Sequence, residues 1–257
     1  MITEGYLARH YQGRRGGRDF ALLDVAQDYA LKFIADKGLF DLGLTFKGGT
    51  ALRKYRMGGE GRFSTDLDFA PKEPGMGELV FEELDGASLF GFQFRVEPVT
   101  TGRRAILRVE TPLGNPQVDA RIELSAHSPW LNPEVRQPLP LFVHEAYEFT
   151  PPAVPVLALE ETIAEKLAAF RRRSLLRDLY DLAWISRIPF NEAVVRKLTY
   201  LKVYVDVVED TLGTPPFHPA ADIIGRELSE FPPEDIGLLS GQLNMGAMQS
   251  TGLLQCQ

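Results

Sequence analysis

The hydrophobic period changes several times along the first half of the chain. In RDFALLDVAQDYALKFIADK (18–37), Phe20, Leu23, Ala26, Ala30, Phe33 and Ile34 recur at helical spacing. This predicts an amphipathic helix ended by Gly38. LGLTF (42–46) reads as a short strand running into Gly48-Gly49. TALRKYRM (50–57) reads as a helix start capped by Thr50, and GGEG (58–61) as a flexible turn. FSTDLDFA (63–70) alternates polar and apolar residues, the period of a strand. FQFRVEP (92–98), RRAILRVE (103–110) and QVDARIEL (117–124) are three more strands, the last two joined as a hairpin by TPLGNP (111–116). Prolines then crowd the chain up to Pro155, which predicts an irregular stretch and a domain boundary near residue 150. From Ala158 the pattern is helical: ALEETIAEKLAAFRRR, LLRDLYDLAWIS and NEAVVRKLTYLKVYVDVVEDTL. The chain therefore reads as α+β, with a mixed α/β domain over 1–150, a mainly helical domain over 151–257, and no internal repeat.

Composition narrows the setting. A chain of 257 residues, 44% hydrophobic, can bury a sizeable core. No run of about 18 apolar residues offers a membrane span. The N-terminal stretch is polar and lacks a signal-peptide core, and the one cysteine, Cys256, has no partner for an internal disulfide. Both features predict a cytoplasmic protein. The net charge of −7 argues against coating nucleic acid non-specifically. Local basic clusters remain, at Arg14, Arg15 and Arg18, at Arg53, Lys54 and Arg56, and at Arg171 to Arg173. The four histidines, His10, His127, His144 and His218, show no ligand spacing and read as surface or loop residues. The last 22 residues carry no charged side chain.

The chemistry concentrates in FKGGTALRKYRMGGEGRFSTDLDFA. On a strand, Asp66 and Asp68 share a face, and two carboxylates so close repel unless a cation lies between them. A hard divalent ion, Mg²⁺ or Mn²⁺, held by carboxylates and substrate phosphates answers that requirement. Gly48, Gly49 and Thr50 ahead of a helix let backbone N–H groups approach an anion, and Lys47 adds a positive charge. D-x-D alone is common on exposed strands, and G-G-T alone is a common turn; their order and spacing carry the signal. A complete metal site needs a third acid from a neighbouring strand. In QVDARIEL, Asp119 and Glu123 lie on one face with Arg121, while Val118, Ala120, Ile122 and Leu124 face the core.

FKGGTALRKY and RFSTDLDF resemble the AbiEii nucleotidyltransferase toxin family, which includes the mycobacterial MenT toxins, within the superfamily typified by DNA polymerase β. The resemblance implies a nucleotidyltransferase-fold mixed sheet with flanking helices. It implies metal ligation by Asp66, Asp68 and a third acid on a strand like RIEL, which favours Glu123 with Asp119 as the alternative. Ser64 joins Lys47, Gly48, Gly49 and Thr50 at the phosphates, and by likeness to some toxins is also a phosphorylation site. The gap from Gly49 to Asp66 is longer than in many superfamily members, and MGGEG would loop out to absorb it.

EKLAAFRRRSLLRDLYDLAW resembles the family's later motif. On a continuous helix, Lys166, Phe170, Arg173, Arg177 and Asp181 would fall near one face. The resemblance implies Lys166 and Arg177 contacting triphosphate or RNA, with Asp178 or Asp181 orienting them and the helical domain completing the active-site cleft. Taken alone, the same stripe is a solvated face. The implied reaction transfers a nucleoside monophosphate from an NTP to an RNA acceptor, the 3′ end of tRNA, as the toxin of a toxin–antitoxin pair with a cognate antitoxin protein. The basic clusters at 53–56 and 171–177 would track the RNA backbone. Two alternatives stand beside it: transfer to a small molecule such as an aminoglycoside or to a protein, and a non-catalytic binding protein on the same fold. Intact D-x-D and G-G-T argue against the last.

Overall fold

The computed structural model describes residues 1–12, 17–114, 117–173 and 175–209, with 227, 230, 231 and 236. Arg14, Arg15, His218, Cys256 and nearly all of the uncharged C-terminal stretch lie outside the described residues. The chain forms two compact units, Met1–Leu157 and Ala158–Gln257.

The first unit is built on an eight-stranded sheet. In chain order its elements are α1 (Glu4–Tyr11), α2 (Gly17–Asp36), β1 (Leu44–Lys47), α3 (Gly48–Leu52), β2 (Asp66–Pro71), α4 (Met76–Leu84), β3 (Ser88–Leu89), β4 (Phe92–Thr100), β5 (Arg104–Glu110), β6 (Val118–Leu124), β7 (Glu134–Arg136) and β8 (Val154–Val156). The strand order is β3-β4-β5-β6-β2-β1-β8-β7. β2 runs parallel to β6 and β1 parallel to β8; the other pairs are antiparallel. The alternating segments predicted as strands form β1, β2, β4, β5 and β6, and the 103–110 and 117–124 segments pair antiparallel as expected. β8 keeps the chain in the sheet to Val156, inside the proline-rich stretch expected to be irregular. Strands of two or three residues need few ladder N–H groups, so proline does not exclude them.

One face of the sheet is apolar and buried. Leu67 and Phe69 of β2 meet Ile122 and Leu124 of β6 in register, and Phe46 of β1 lies opposite Phe69. The helices α2 and α4 pack on this side. The pattern predicted α2 well, but its polar side is buried too: Asp24, Gln27 and Asp28 are all covered, because α1 and the segment around Phe142–Ala146 lie over it.

Buried acids require compensation, and the basic cluster 53–56 supplies it. α3 runs on as a π-helical turn, Arg53–Met57, and a 3-10 turn, Gly58–Glu60. Arg53 grips Asp24 with two hydrogen bonds, Nε to Oδ1 at 2.9 Å and Nη2 to Oδ2 at 2.8 Å. Lys54 reaches Asp24 Oδ1 at 3.0 Å and Asp28 Oδ1 at 2.7 Å. Arg56 pairs with Glu134 at 3.2 Å and donates to the Leu157 carbonyl. Burial opposes ionisation of Asp24, but Arg53 and Lys54 overcome it and hold its carboxyl well below the usual carboxylate range. The expectation that residues 53–56 track an RNA backbone therefore fails: Arg53 and Lys54 are 0% and 2% exposed. His10 is likewise no surface residue. It is buried on α1, with Nε2 2.8 Å from Asp24 Oδ2. This network ties α1, α2 and the helix after the Gly48-Gly49 turn into one piece.

The second unit contains α5 (Leu159–Arg173), α6 (Leu176–Ile185), α7 (Glu192–Tyr204) and a π-helical turn, Val205–Glu209. Residues 166–181 belong to two helices, matching the two helical segments read from the sequence, so the one-face stripe that a continuous helix would have made does not form. α5 stops at Arg173, and Leu175 is extended at φ −87°, ψ 143°. The break lets α6 return against α5 with Leu176, Leu179, Leu182 and Ile185 buried, which a single straight rod could not achieve. α7 packs on α5, and its Lys202 pairs with Glu161 at 2.7 Å and Glu165 at 3.2 Å.

Candidate active site

The polar face of the sheet carries the acids. Asp66 and Asp68 sit two positions apart on β2, so the pleat turns both away from the apolar side, where Leu67 and Phe69 point. The register then decides the neighbours. Asp68 lies opposite Glu123 on β6 and opposite Lys47 on β1; Asp66 lies opposite Arg121. Asp119 is two residues before Arg121 and faces Arg108 of β5, away from both acids of β2. Of the two expected third acids, Glu123 is the one beside the D-x-D pair.

The Gly48-Gly49 turn is shaped by these acids. Gly48 has φ +77°, a left-handed conformation open mainly to glycine. A Cβ there would stand 1.9 Å from Asp68 Oδ2. At Gly49 a Cβ would stand 2.7 Å from an Arg62 guanidinium nitrogen and 2.9 Å from Ser64 Oγ. So the turn is bare because a carboxylate, a guanidinium and a hydroxyl converge on it. Gly48 swings the chain from β1 directly into α3, whose N-cap position is Lys47. Thr50 is thus inside the helix and does not cap it. Its buried hydroxyl donates to the Asp66 carbonyl, fixing the start of β2 to the turn.

The carboxylate of Asp66 is held by protein donors. Arg121 Nε donates to Oδ1 at 2.8 Å and Nη2 to Oδ2 at 3.1 Å, with Thr65 Oγ1 also on Oδ1 at 3.1 Å. The hydrogen bond and charge of Asp66 raise the Arg121 pKa above that of an isolated arginine. Glu123 has Arg104 Nε at 3.9 Å. Among the described residues, no group of three or more His, Cys, Asp or Glu side chains is gathered to hold a metal ion. The donor chemistry nevertheless fits a hard divalent cation: carboxylate oxygens at adjacent same-face positions, which Mg²⁺ uses one or two at a time together with substrate phosphates.

The second unit has a charged cluster of its own. Lys166, nearly buried, lies 2.8 Å from Asp181 Oδ2 and 3.4 Å from Asp178 Oδ1. Arg173 closes on Asp178 with Nε to Oδ2 at 2.7 Å and Nη2 to Oδ1 at 2.9 Å. Both aspartates are buried. Arg177 is half-buried on α6. Two residues gained weight only from the structure. Arg62 is buried at the turn, and nothing in GEGRF marks it. Arg121 was visible on the acid face of β6, but its partner could not be read from 55 residues away.

Sheet, turn and acids together define a nucleotidyltransferase. The family model described as "Nucleotidyl transferase AbiEii toxin, Type IV TA system" matches residues 32–243. The solved structure of MenT4, a nucleotidyltransferase toxin from Mycobacterium tuberculosis H37Rv, is similar with a TM-score of 0.89 and 41% identity, over 100% of this chain and 89% of that one. No curated protein sequence matches. The chain belongs to the AbiEii nucleotidyltransferase toxin family, and it is an enzyme of that class and the toxin of a type IV toxin–antitoxin system. The family implies an NTP donor and a cognate antitoxin. Among the described residues, no helix is long and apolar enough to cross a membrane.

Proposed function

We propose that this enzyme transfers a nucleoside monophosphate from an NTP to an RNA acceptor, the 3′ end of tRNA, in the cytoplasm, and so blocks translation. One observation carries most weight: Lys47, Asp66, Asp68 and Glu123 share one sheet face around the Gly48-Gly49 turn. Asp66 and Asp68 would hold Mg²⁺ or Mn²⁺, with Glu123 as a further ligand or as the base at the attacking hydroxyl. When bound, the ion neutralises charge on the triphosphate and the leaving pyrophosphate.

The chain's own residues do the rest. The backbone at Gly48 and Gly49, with Lys47, Arg62 and Ser64, receives phosphate oxygens; Thr50 keeps the turn on β2. The acceptor oxygen attacks the α-phosphorus, the bond to pyrophosphate breaks, and Glu123, where it serves as the base rather than as a ligand, takes the hydroxyl proton. From the second unit, Lys166 and Arg177 meet phosphate or RNA, with Asp178 and Asp181 orienting the lysine. With residues 53–56 buried, backbone contact falls to the 171–177 cluster. A toxin acting by nucleotidyl transfer needs an acceptor that growth cannot spare, and the 3′ hydroxyl of tRNA is one.

The test is incubation of the purified chain with Mg²⁺, total tRNA and each labelled NTP in turn, with Asp66→Ala as control. Label entering tRNA from one NTP, and lost in the variant, is the expected result. Binding of NTP without label in RNA would shift the acceptor to a small molecule or a protein.

A further inference from the structure

We propose that Arg121 is a positioning residue that clamps Asp66 until a divalent cation displaces it. The inference rests on the metal-binding role proposed above for Asp66 and concerns what holds that carboxylate beforehand.

The geometry leaves little choice. Register sets Arg121 directly opposite Asp66, and its guanidinium engages both carboxylate oxygens, at 2.8 Å and 3.1 Å. Thr65 takes a further lone pair on Oδ1. Arg121 and Thr65 together take three of the four lone-pair positions of this carboxylate, both on Oδ1 and one on Oδ2, so a cation bound by both oxygens or through Oδ1 has to displace a donor, and Arg121 is the one that spans the two oxygens. The backbone need not move, because the Thr50 hydroxyl anchors the Asp66 carbonyl independently of the carboxylate.

The chain contains its own control for whether such a pair can open. Arg53 grips Asp24 with the same two-pronged geometry, but those side chains are 0% and 1% exposed. Opening that pair would strand charges away from water, so it is permanent. The Arg121 and Asp66 side chains are 57% and 21% exposed. Water can solvate the released guanidinium, so this pair opens at small cost. While closed, it adds a positive charge to the sheet face that carries Asp66, Asp68 and Glu123. Once released, Arg121 remains on the face that holds these acids.

The test is Mn²⁺ titration of the full chain by calorimetry or by paramagnetic resonance of the free ion. The variants are Arg121→Ala, Arg121→Lys, Asp66→Asn and Arg108→Ala. Arg108 lies on the same sheet face but pairs with Glu97, so it reports the effect of removing any nearby positive charge. An exposed ion pair as competitor predicts Mn²⁺ binding roughly two- to fivefold tighter in Arg121→Ala. Arg121→Lys, which keeps the charge but not the fork, should fall between it and the parent, and Arg108→Ala should match the parent. Binding that requires Asp66 but has the same Kd in the parent and Arg121→Ala overturns the clamp alone. Equal tightening in Arg108→Ala and Arg121→Ala also overturns it, by reducing it to general charge. Mn²⁺ binding that survives Asp66→Asn, or no binding in any form, overturns the metal-site reading and the clamp with it.

Discussion

Substituting Gly48 by alanine tests why the turn beside the acids is bare. The new methyl group meets two penalties. At φ +77° a side chain costs about 1–2 kcal/mol relative to glycine. In addition, the Cβ would stand 1.9 Å from Asp68 Oδ2, 2.7 Å from its Cγ and 2.8 Å from its Cβ, where real contacts essentially never fall below 3.0 Å. The carboxylate must retreat by about 1 Å, and a displacement of that size at a reacting centre can lose on the order of 100-fold in rate. The backbone penalty alone should lower the melting temperature by roughly 2–8 °C for a unit of this size. The assay is labelled-nucleotide incorporation beside a thermal melt, with Gly59→Ala as control, since a Cβ at Gly59 meets nothing within 4 Å. Gly59→Ala should melt within about 0.5 kcal/mol of the parent. If Gly48→Ala kept full activity and melted with the parent, the close approach of Asp68 would not be what keeps the turn free of side chains.

Two further outcomes follow from buried charge. Burial depresses the pKa of His10 below 6.5 against the opposing pull of Asp24, so the folded state holds the ring neutral while the unfolded state protonates it more readily. Stability is then fully present above pH 6.5 and falls as the pH drops below it; melting temperatures measured from pH 8 to pH 5 should decline in the parent and stay flatter in His10→Gln, and identical declines would count against His10. In the second unit, Lys166→Met leaves Asp181 buried without its lysine, although Arg173 still serves Asp178. That should destabilise by about 3 kcal/mol, the lower end for breaking a buried pair, and a denaturant melt followed by helical circular dichroism that moved by less than about 1 kcal/mol would mean the pair is screened as at a surface.

Much of the candidate site was legible because it depends on short-range geometry. The two-residue period of a strand puts Asp66 and Asp68 on one face in any fold that makes FSTDLDFA a strand. Likewise, the glycines before a helical segment announce a close approach. The nature of that approach was not legible: the group packed against Gly48 is the Asp68 side chain, twenty residues downstream. Periodicity also misled where burial is two-sided. The polar stripe of α2 and the basic run Arg53, Lys54 and Arg56 both look like solvated surfaces, and neither is, because Arg53 and Lys54 neutralise Asp24 and Asp28 inside the unit while Arg56 pairs with Glu134. A helical pattern carried across 166–181 gave a stripe that the break at Leu175 dissolves, and Lys166 meets Asp178 and Asp181 from a separate helix instead.

The sequence by itself determined which residues are the candidates for the chemistry: a bare turn, two acids on one strand face, a third acid of two on another strand, and a lysine followed by aspartates. Only the tertiary structure decided how they are partnered. The parallel register of β2 on β6 brings Glu123 to Asp68 and leaves Asp119 facing Arg108, and it sets Arg121 on Asp66. A slip of one residue would have turned every β6 side chain to the other face. Local spacing fixes the direction of a side chain relative to its own backbone. Its partner is chosen by strand pairing between segments more than fifty residues apart, and that choice is made by the fit of the apolar face beneath them.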